Sequence, residues 1–339
     1  MEKRGQSILF AAVLIMLPVL TALAVIGIGR YSLTMPQSLY VLYRGLFLGR
    51  ETVDAQSYSV IINMRLPRII MAIVCGGGLA VAGAGQQAMF SNPLVSPDTL
   101  GVASGASFGA ALALLFGGDL VAVQLSALLF GIFAVACTYS IGSTRGSGTS
   151  IIMLVLSGMV VSALFQAFVS LVKYVADTEN QLPAITYWLM GSLTSSTFRS
   201  LSLGAPPIMI SCIVLFLLRW KMNVLSLTED EAKSMGLNVA RIRLVIILAT
   251  TMITASCVSM CGQIGWVGLL IPHVCRMIFG SNNRRVIPAS ISLGMVFMLI
   301  IDTIARSATA AEIPVSILTA VIGAPCFILL LKRTGGNWR

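Results

Sequence analysis

Two arginines stand directly in front of a long apolar, glycine-rich segment of the chain. Arg65 and Arg68 precede a run that stops at Asn92-Pro93. A guanidinium stays charged and presents a planar fork of donors that fits carboxylates and phosphates. Arginines at the border of an apolar segment therefore either extend to lipid headgroups or bind an acidic partner.

Other residues in the apolar segments predict structural contacts and no catalytic centre. Asp302 precedes Arg306 by four positions, which allows an ion pair on one helix face near the outer boundary. His273 is the only histidine, so the chain has no multi-histidine metal site of its own. The seven cysteines form no CxxC pair, which predicts neither a metal knuckle nor a disulfide framework. No GxxxxGK[ST] phosphate loop occurs, so any ATP is expected on another subunit.

The composition indicates an integral membrane protein. Hydrophobic residues make up 57% of the 339 positions and charged residues 10%, whereas soluble domains carry roughly 25% charged residues. The apolar runs have the length that a helix needs to cross a hydrocarbon core of about 30 Å. Ten membrane spans are predicted, at about 8–29, 66–90, 98–117, 120–141, 150–173, 201–219, 242–262, 264–280, 286–305 and 314–331.

The spacing of small residues and the distribution of charge extend this prediction. Gly101, Gly105 and Gly109 recur at every fourth position, which lets helix backbones approach closely and predicts a tightly packed all-α bundle. With both termini cytoplasmic, fourteen of the 22 basic residues lie inside, as the positive-inside rule requires. The net charge of +10 mostly reflects this bias, so no nucleic-acid partner is expected. The segment "MPQSLYVLYRGLFLG" is predicted as an interfacial helix.

The main inner loop carries helix start and stop signals. Thr228 followed by Glu231 forms a capping box, with Glu229 and Asp230 in the first turn. Gly236 is a plausible helix end, and Asn238 can cap a second short helix that leads into the next span. Residues 227–243 are therefore either a docking element or a solvated linker. Lys233 and Leu237 are the remaining candidate docking residues in this element.

Four blocks of this sequence resemble a known family. They are "RLPRIIMAIVCGGGLAVAGAGQQAMFSNPLVSPDTLGVASGASFGA" (65–110), "YWLMGSLTSSTF" (187–198), "GQIGWVGLLIPHVCRMIFG" (262–280) and "EIPVSILTAVIGAPCFILLLKR" (312–333). These blocks are similar to permease subunits of ABC importers for iron–siderophore complexes, haem and cobalamin. The similarity covers nearly the whole chain, which indicates one transmembrane permease domain over residues 1–339 with the cobalamin-permease-like fold.

The resemblance implies partners and places candidate sites. It implies a homodimer of ten-helix subunits in lipid, two copies of a cytoplasmic ABC ATPase on the inner loops and an extracytoplasmic substrate-binding protein on the outer face. Thr228–Asn238 falls where the family has its coupling helices. Arg65, Arg68 and Arg306 match arginines that pair with acidic residues on the binding protein.

The resemblance also points to a cytoplasmic gate. Asn92, Pro93 and Leu94 match the short loop that narrows this gate. The other half does not align residue by residue, and Thr149 and Ser150 are candidates for it.

The sequence thus predicts a non-catalytic permease of an ATP-driven importer, located in a bacterial or archaeal cytoplasmic membrane and without a resident metal or cofactor. An iron(III)-siderophore is the expected cargo, with haem, cobalamin and molybdate as alternatives. An ion-coupled secondary transporter is the rival class, although such proteins use intramembrane carboxylates, which are scarce here. A membrane enzyme is a third alternative, weakened by the lack of a catalytic cluster.

Overall fold

The protein is helical along nearly its whole described length. The computed structural model describes residues 2–144, 148–149, 151–227, 229–309 and 311–334. The helices are α1 (Glu2–Ile26), α2 (Met35–Phe47), α3 (Ala55–Tyr58), α4 (Leu66–Phe90), α5 (Val102–Leu115), α6 (Leu120–Gly142), α7 (Ile151–Val175), α8 (Gln181–Leu189), α9 (Phe198–Leu218), α10 (Glu229–Ser234), α11 (Val239–Cys261), α12 (Val267–Phe279), α13 (Asn283–Ala308) and α14 (Val315–Thr334).

Short irregular elements connect these helices. Three 3₁₀-helices span Arg50–Thr52, Pro97–Leu100 and Lys221–Ser226. A π-helical segment, Ser59–Arg65, runs into α4, where Pro67 has no N–H to continue the α-helical ladder. Strands β1 (Ser143–Thr144) and β2 (Gly148–Thr149) form an antiparallel pair between α6 and α7.

Each of the ten predicted spans corresponds to an apolar helix. Within the described residues, seven helices are long and apolar enough to cross a membrane, and α5, α12 and residues 315–330 of α14 are shorter apolar helices. The prediction of an all-α, multi-pass bundle is therefore confirmed. The segment that the sequence predicts as an interfacial helix forms α2. This helix begins at a capping box formed by Thr34 and Gln37.

The helices α4 and α11 form the centre of the bundle. In α4 and α11, 83% and 78% of the apolar stretch is buried, whereas in α1 the value is 11%. Glycines allow the closest backbone approaches, as the sequence predicted. A Cβ atom on Gly105 would lie 2.6 Å from the Phe130 carbonyl oxygen of α6, and one on Gly109 would collide with the Ser126 carbonyl oxygen. Any larger residue at these two positions would separate α5 from α6.

Candidate functional site

Arg65 is buried against the end of α1. It is the last residue of the π-helical segment, and it is 6% exposed. Its Nη1 donates to the Ile26 carbonyl oxygen at 2.7 Å, and its Nη2 donates to the Tyr31 carbonyl oxygen at 2.7 Å. The last carbonyls of a helix have no partner within the helix. Arg65 supplies donors to that end of α1 and to the segment that follows it.

Arg306 supplies a second set of donors to the same helix end. From the last turn of α13, its Nη2 donates to the Val25 carbonyl oxygen at 2.7 Å and its Nη1 to the Ile28 carbonyl oxygen at 2.5 Å. A positive charge at a helix C-terminus also interacts favourably with the helix dipole. We call Arg65 and Arg306 with these carbonyls the α1 clamp.

Arg68 connects α4 to α13 and to the segment before α14. Its Nε lies 2.8 Å from Asp302 Oδ1, and its Nη1 lies 3.0 Å from Glu312 Oε2. Glu312 also accepts a hydrogen bond from Thr194 Oγ1 at 2.9 Å. Its backbone has a φ of 47°, a conformation that costs energy for a residue with a Cβ. These contacts fix the start of α14 against α4.

The electrostatics of Glu312 favour its ionised form. Burial alone would raise the pKa of this carboxyl. The Arg68 guanidinium and the Thr194 hydroxyl outweigh burial and hold the pKa of Glu312 below its ordinary value of 4.5. The Arg68–Glu312 contact is therefore an ion pair at neutral pH.

The structure brings the three predicted docking arginines together at one end of the bundle. The predicted pair of Asp302 with Arg306 is present, with Arg306 Nε 3.6 Å from Asp302 Oδ2, but Arg68 lies closer to that carboxylate. The side chains of Arg68 and Arg306 are 12% and 8% exposed. All three arginines bind groups of their own chain in this conformation, and their docking role stays a prediction.

The predicted inner gate residues form a tight turn after α4. Ser91 ends the helix in the left-handed region with a φ of 49°, and the Asn92 N–H donates to the Gln87 carbonyl oxygen at 3.1 Å. The Asn92 Oδ1 accepts a hydrogen bond from the Leu94 N–H at 2.9 Å. This contact makes an Asx turn with Pro93 at its centre. Asn92 and Leu94 are exposed, so the tip of the turn is accessible.

A buried glutamine supports this turn from behind. Gln87 Nε2 donates to the Val95 carbonyl oxygen at 3.4 Å and to the Leu269 carbonyl oxygen of α12 at 3.2 Å. Its Oε1 accepts from Arg276 Nε at 3.4 Å. These contacts are long and individually weak. Together they hold the turn, α4 and α12 at one position.

The second half of the predicted gate lies partly in the β-hairpin. Thr149 belongs to β2 and pairs with Ser143 of β1. Ser150 lies outside the described residues. The gate assignment of both residues remains a prediction.

The inner loop folds as its cap signals indicate, with one correction. Glu229–Ser234 is the helix α10, and Gly236 ends it with a φ of 74° while the Leu237 N–H donates to the Ala232 carbonyl oxygen at 3.2 Å. Asn238 Oδ1 accepts from the Arg241 N–H at 3.0 Å. Asn238 does not cap a separate short helix, because α11 continues from it to Cys261 without a glycine or proline to interrupt the ladder. Thr228, the first residue of the capping box, lies outside the described residues.

Sequence reasoning missed three residues of these sites. Glu312 and Thr194 lie in connecting segments where an isolated polar residue carries no spacing signal. Gln87 did carry a signal, because an amide inside an apolar span needs a hydrogen-bond partner within the protein. Cys75 was likewise not connected to Cys261, although their Sγ atoms lie 3.7 Å apart.

The bundle has ion pairs near one end, a charged helical segment at the other and apolar helices of membrane length, which is the architecture of a multi-pass membrane protein. The model of the FecCD transport family matches residues 14–333. The chain belongs to the FecCD transport family, and it is a permease of the ABC importer type.

Individual relatives align along the whole chain. The molybdate import system permease protein MolB of Haemophilus influenzae is 43% identical over 336 residues, which cover 97% of each chain. A probable iron chelatin transport system permease protein of Helicobacter pylori is 36% identical over 320 residues, covering 94% of this chain and 96% of the relative. A solved inward-facing structure described as a metal-chelate type ABC transporter superposes with a TM-score of 0.85 at 42% identity, covering 95% of this chain and 98% of that one.

Proposed function

We propose that this protein is the non-catalytic permease subunit of an ATP-driven importer that moves a metal-containing solute across the cytoplasmic membrane. The observation that carries the proposal is the alignment with an import permease over 97% of both chains. The ATP-binding step belongs to separate ATPase chains in this proposal. Two permease copies form the translocation path, and both termini lie in the cytoplasm.

Molybdate is the cargo to test first. The relative at 43% identity is named for molybdate, and the expected iron(III)-siderophore has the support of the relative at 36% identity. Haem and cobalamin remain alternatives. The two leading cargoes differ in charge and size, so an uptake experiment in which they compete identifies the cargo. A small tetrahedral dianion needs no wide path, whereas an iron chelate does.

Coupling and gating are assigned to the inner face. The helix α10 with Gly236, Leu237 and Asn238 forms a compact knob next to the start of α11, which suits contact with a soluble ATPase. The Asn92–Leu94 turn forms one side of the cytoplasmic constriction in this proposal. Thr149 and Ser150 are proposed for the other side.

The outer face receives the substrate-binding protein. Arg65, Arg68 and Arg306 are the proposed docking residues, and for them to act directly the ion pairs of Arg68 and Arg306 would have to open when the partner binds. Arg30, Arg50 and Arg199 are exposed in the present conformation and provide an alternative set of cations. Comparing the two sets by mutation separates direct docking from a purely structural role.

The proposal is tested by reconstitution. The permease is placed in liposomes with its ATPase and its binding protein, and uptake of radioactive molybdate is compared with uptake of a ⁵⁵Fe-labelled siderophore. ATP-dependent molybdate uptake that unlabelled ferric chelate does not inhibit supports the proposed cargo. Uptake that needs an ion gradient and no ATP would identify a secondary transporter instead. The buried Asp302, already bound to Arg68 and Arg306, argues against that rival.

A further inference from the structure

A long apolar cavity lies between α1 and the helices that it packs against. It has a volume of about 710 Å³, and α1, α4, α9 and α13 line it. Along α1 it extends from Phe10 to Leu23, a distance of about 20 Å at the helical rise of about 1.5 Å per residue. One leaflet of a hydrocarbon core about 30 Å thick has a depth of about 15 Å. The cavity is therefore long enough to hold one acyl chain of a single leaflet.

Two prolines shape this cavity. Pro18 lies inside α1 and has no N–H, so the carbonyl of Leu14 loses its partner within the helix. Ser292 of α13 replaces that partner, because its Oγ donates to the Leu14 carbonyl oxygen at 2.7 Å. Pro288 of α13 lines the same cavity. The two helices are thus joined by a polar contact next to Pro18 and leave an apolar space beside it.

Two arginines lie at one end of the cavity. Arg219 directly follows α9, and Arg284 lies in the first turn of α13. The end of α9 and the start of α13 lie at the same membrane face, because α11 and α12 cross the bundle between them and return. That face also holds the start of α1. Both guanidiniums therefore lie at the same face of the bundle, each at the end of an apolar helix.

The two guanidiniums have donors left for a ligand. Arg219 Nη1 donates to the Phe216 carbonyl oxygen at 2.6 Å, and its Cζ lies 3.9 Å above the Phe216 ring, which fixes its direction while its other N–H groups stay available. Arg284 is exposed. In the part of the chain that the structure describes, no carboxylate forms an ion pair with either arginine.

We propose that this cavity binds one anionic phospholipid of the surrounding leaflet, with an acyl chain between α1 and α13 and its phosphate between Arg219 and Arg284. A basic pocket between transmembrane helices is the arrangement that recognises anionic headgroups. The apolar lining explains why a lipid fits better than a free anion. The site is separate from the proposed gate and docking residues, so it stands independently of the transported cargo.

The test is a lipid titration of the purified, delipidated protein followed by native mass spectrometry. Phosphatidylglycerol is compared with phosphatidylcholine of identical acyl chains, and inorganic phosphate is added in a separate arm. We expect one phosphatidylglycerol per chain to bind with clear preference. Each cation near an anionic headgroup contributes roughly a fivefold factor, so the Arg219→Gln/Arg284→Gln double variant should bind about 25-fold more weakly.

Three variants distinguish specific lipid binding in this cavity from a general effect of surface charge and from unspecific lipid contact. Arg285→Gln removes a neighbouring exposed arginine that does not line the cavity, and it should bind as the wild type does. The Arg219→Lys/Arg284→Lys variant should retain most of the binding. Ala11→Trp fills the cavity with both arginines intact and should exclude the lipid.

Each other outcome overturns the proposal. Equal binding of phosphatidylcholine by the wild type would reduce the site to ordinary boundary lipid. An equal loss in Arg285→Gln would identify a diffuse charge effect. Displacement by inorganic phosphate, together with unchanged binding in Ala11→Trp, would identify an anion site without an acyl chain. Size-exclusion profiles that match the wild type establish that the variants are folded.

Discussion

Arg68 Nε lies 2.8 Å from Asp302 Oδ1, so two residues that are 234 positions apart form the ion pair that joins the start of α4 to the end of α13. Asp302 is buried, and Arg306 is its second cationic neighbour. Asp302 is therefore the carboxylate that Arg68 and Arg306 share.

Replacing Asp302 should destabilise the protein strongly. We expect Asp302→Ala to lose about 3–5 kcal/mol of stability, because the buried Arg306 loses its carboxylate and Arg68 keeps only its contact with the partly exposed Glu312. Thermal unfolding in detergent measures the effect. Glu312→Gln is the matched control, since Glu312 is 25% exposed and an exposed pair contributes about 1 kcal/mol or less. Equal melting temperatures for both variants would contradict this assignment.

The α1 clamp should protect the end of α1. Arg65→Gln and Arg306→Gln each remove donors from carbonyls at Val25, Ile26, Ile28 or Tyr31, so amide hydrogen exchange across residues 22–33 should accelerate. Arg199→Gln changes an exposed outer arginine and should leave exchange unchanged. If the clamp variants exchange as the wild type does but fail to recruit the binding protein, the arginines act in docking and the clamp is dispensable.

The turn at Asn92–Leu94 should loosen when its support is removed. Gln87→Leu keeps the volume of the side chain and deletes its contacts with Val95, Leu269 and Arg276. A single cysteine at position 92 should then react faster with a polar maleimide. If the turn narrows the dimer path, the same cysteine should crosslink between two subunits in at least one nucleotide state, and efficient modification without any crosslink would remove the turn from the gate.

The helix α10 should be needed for ATPase binding and not for folding. Glu231→Arg reverses an exposed charge, and Gly236→Val places a β-branched residue at a φ of 74°, which strains the turn after α10. Both variants should purify as the wild type does but recover less ATPase in a pull-down. Arg285→Gln serves again as a surface control. Stoichiometric, stimulated ATPase bound to both variants would exclude the coupling role.

The stability of the Arg68–Glu312 ion pair should depend on pH. The pKa of Glu312 lies below its ordinary value of 4.5, so its stabilising contribution is present above about pH 4.5 and is lost as the pH falls through the lowered pKa. Amide hydrogen exchange in residues 311–318 should therefore increase as the pH falls through the lowered pKa of Glu312. Glu312→Gln cannot titrate, and its exchange should lack this step. An identical pH profile in both proteins would show that another group controls the segment.

The amino-acid sequence by itself determined the elements of this protein. Apolar runs give the ten main helices, seven of which have membrane length among the described residues, because every backbone polar group in lipid needs a partner within the segment. The caps at Gly236 and Asn238 are also local, since they depend on residues within one turn. Glycines at fourth positions predicted close packing of α5, whereas its partner α6 came from the structure.

Only the tertiary structure decided what the outer arginines contact. A guanidinium at the border of a span has the same local pattern whether it faces a partner protein, a lipid or a helix end. Arg65 finds its acceptor 39 positions away and Arg306 finds its acceptor 281 positions away, and no spacing rule connects such residues. The bundle brings the end of α1 to these arginines, where unpaired carbonyls are the nearest acceptors. Packing therefore buried charges that the sequence placed at the surface.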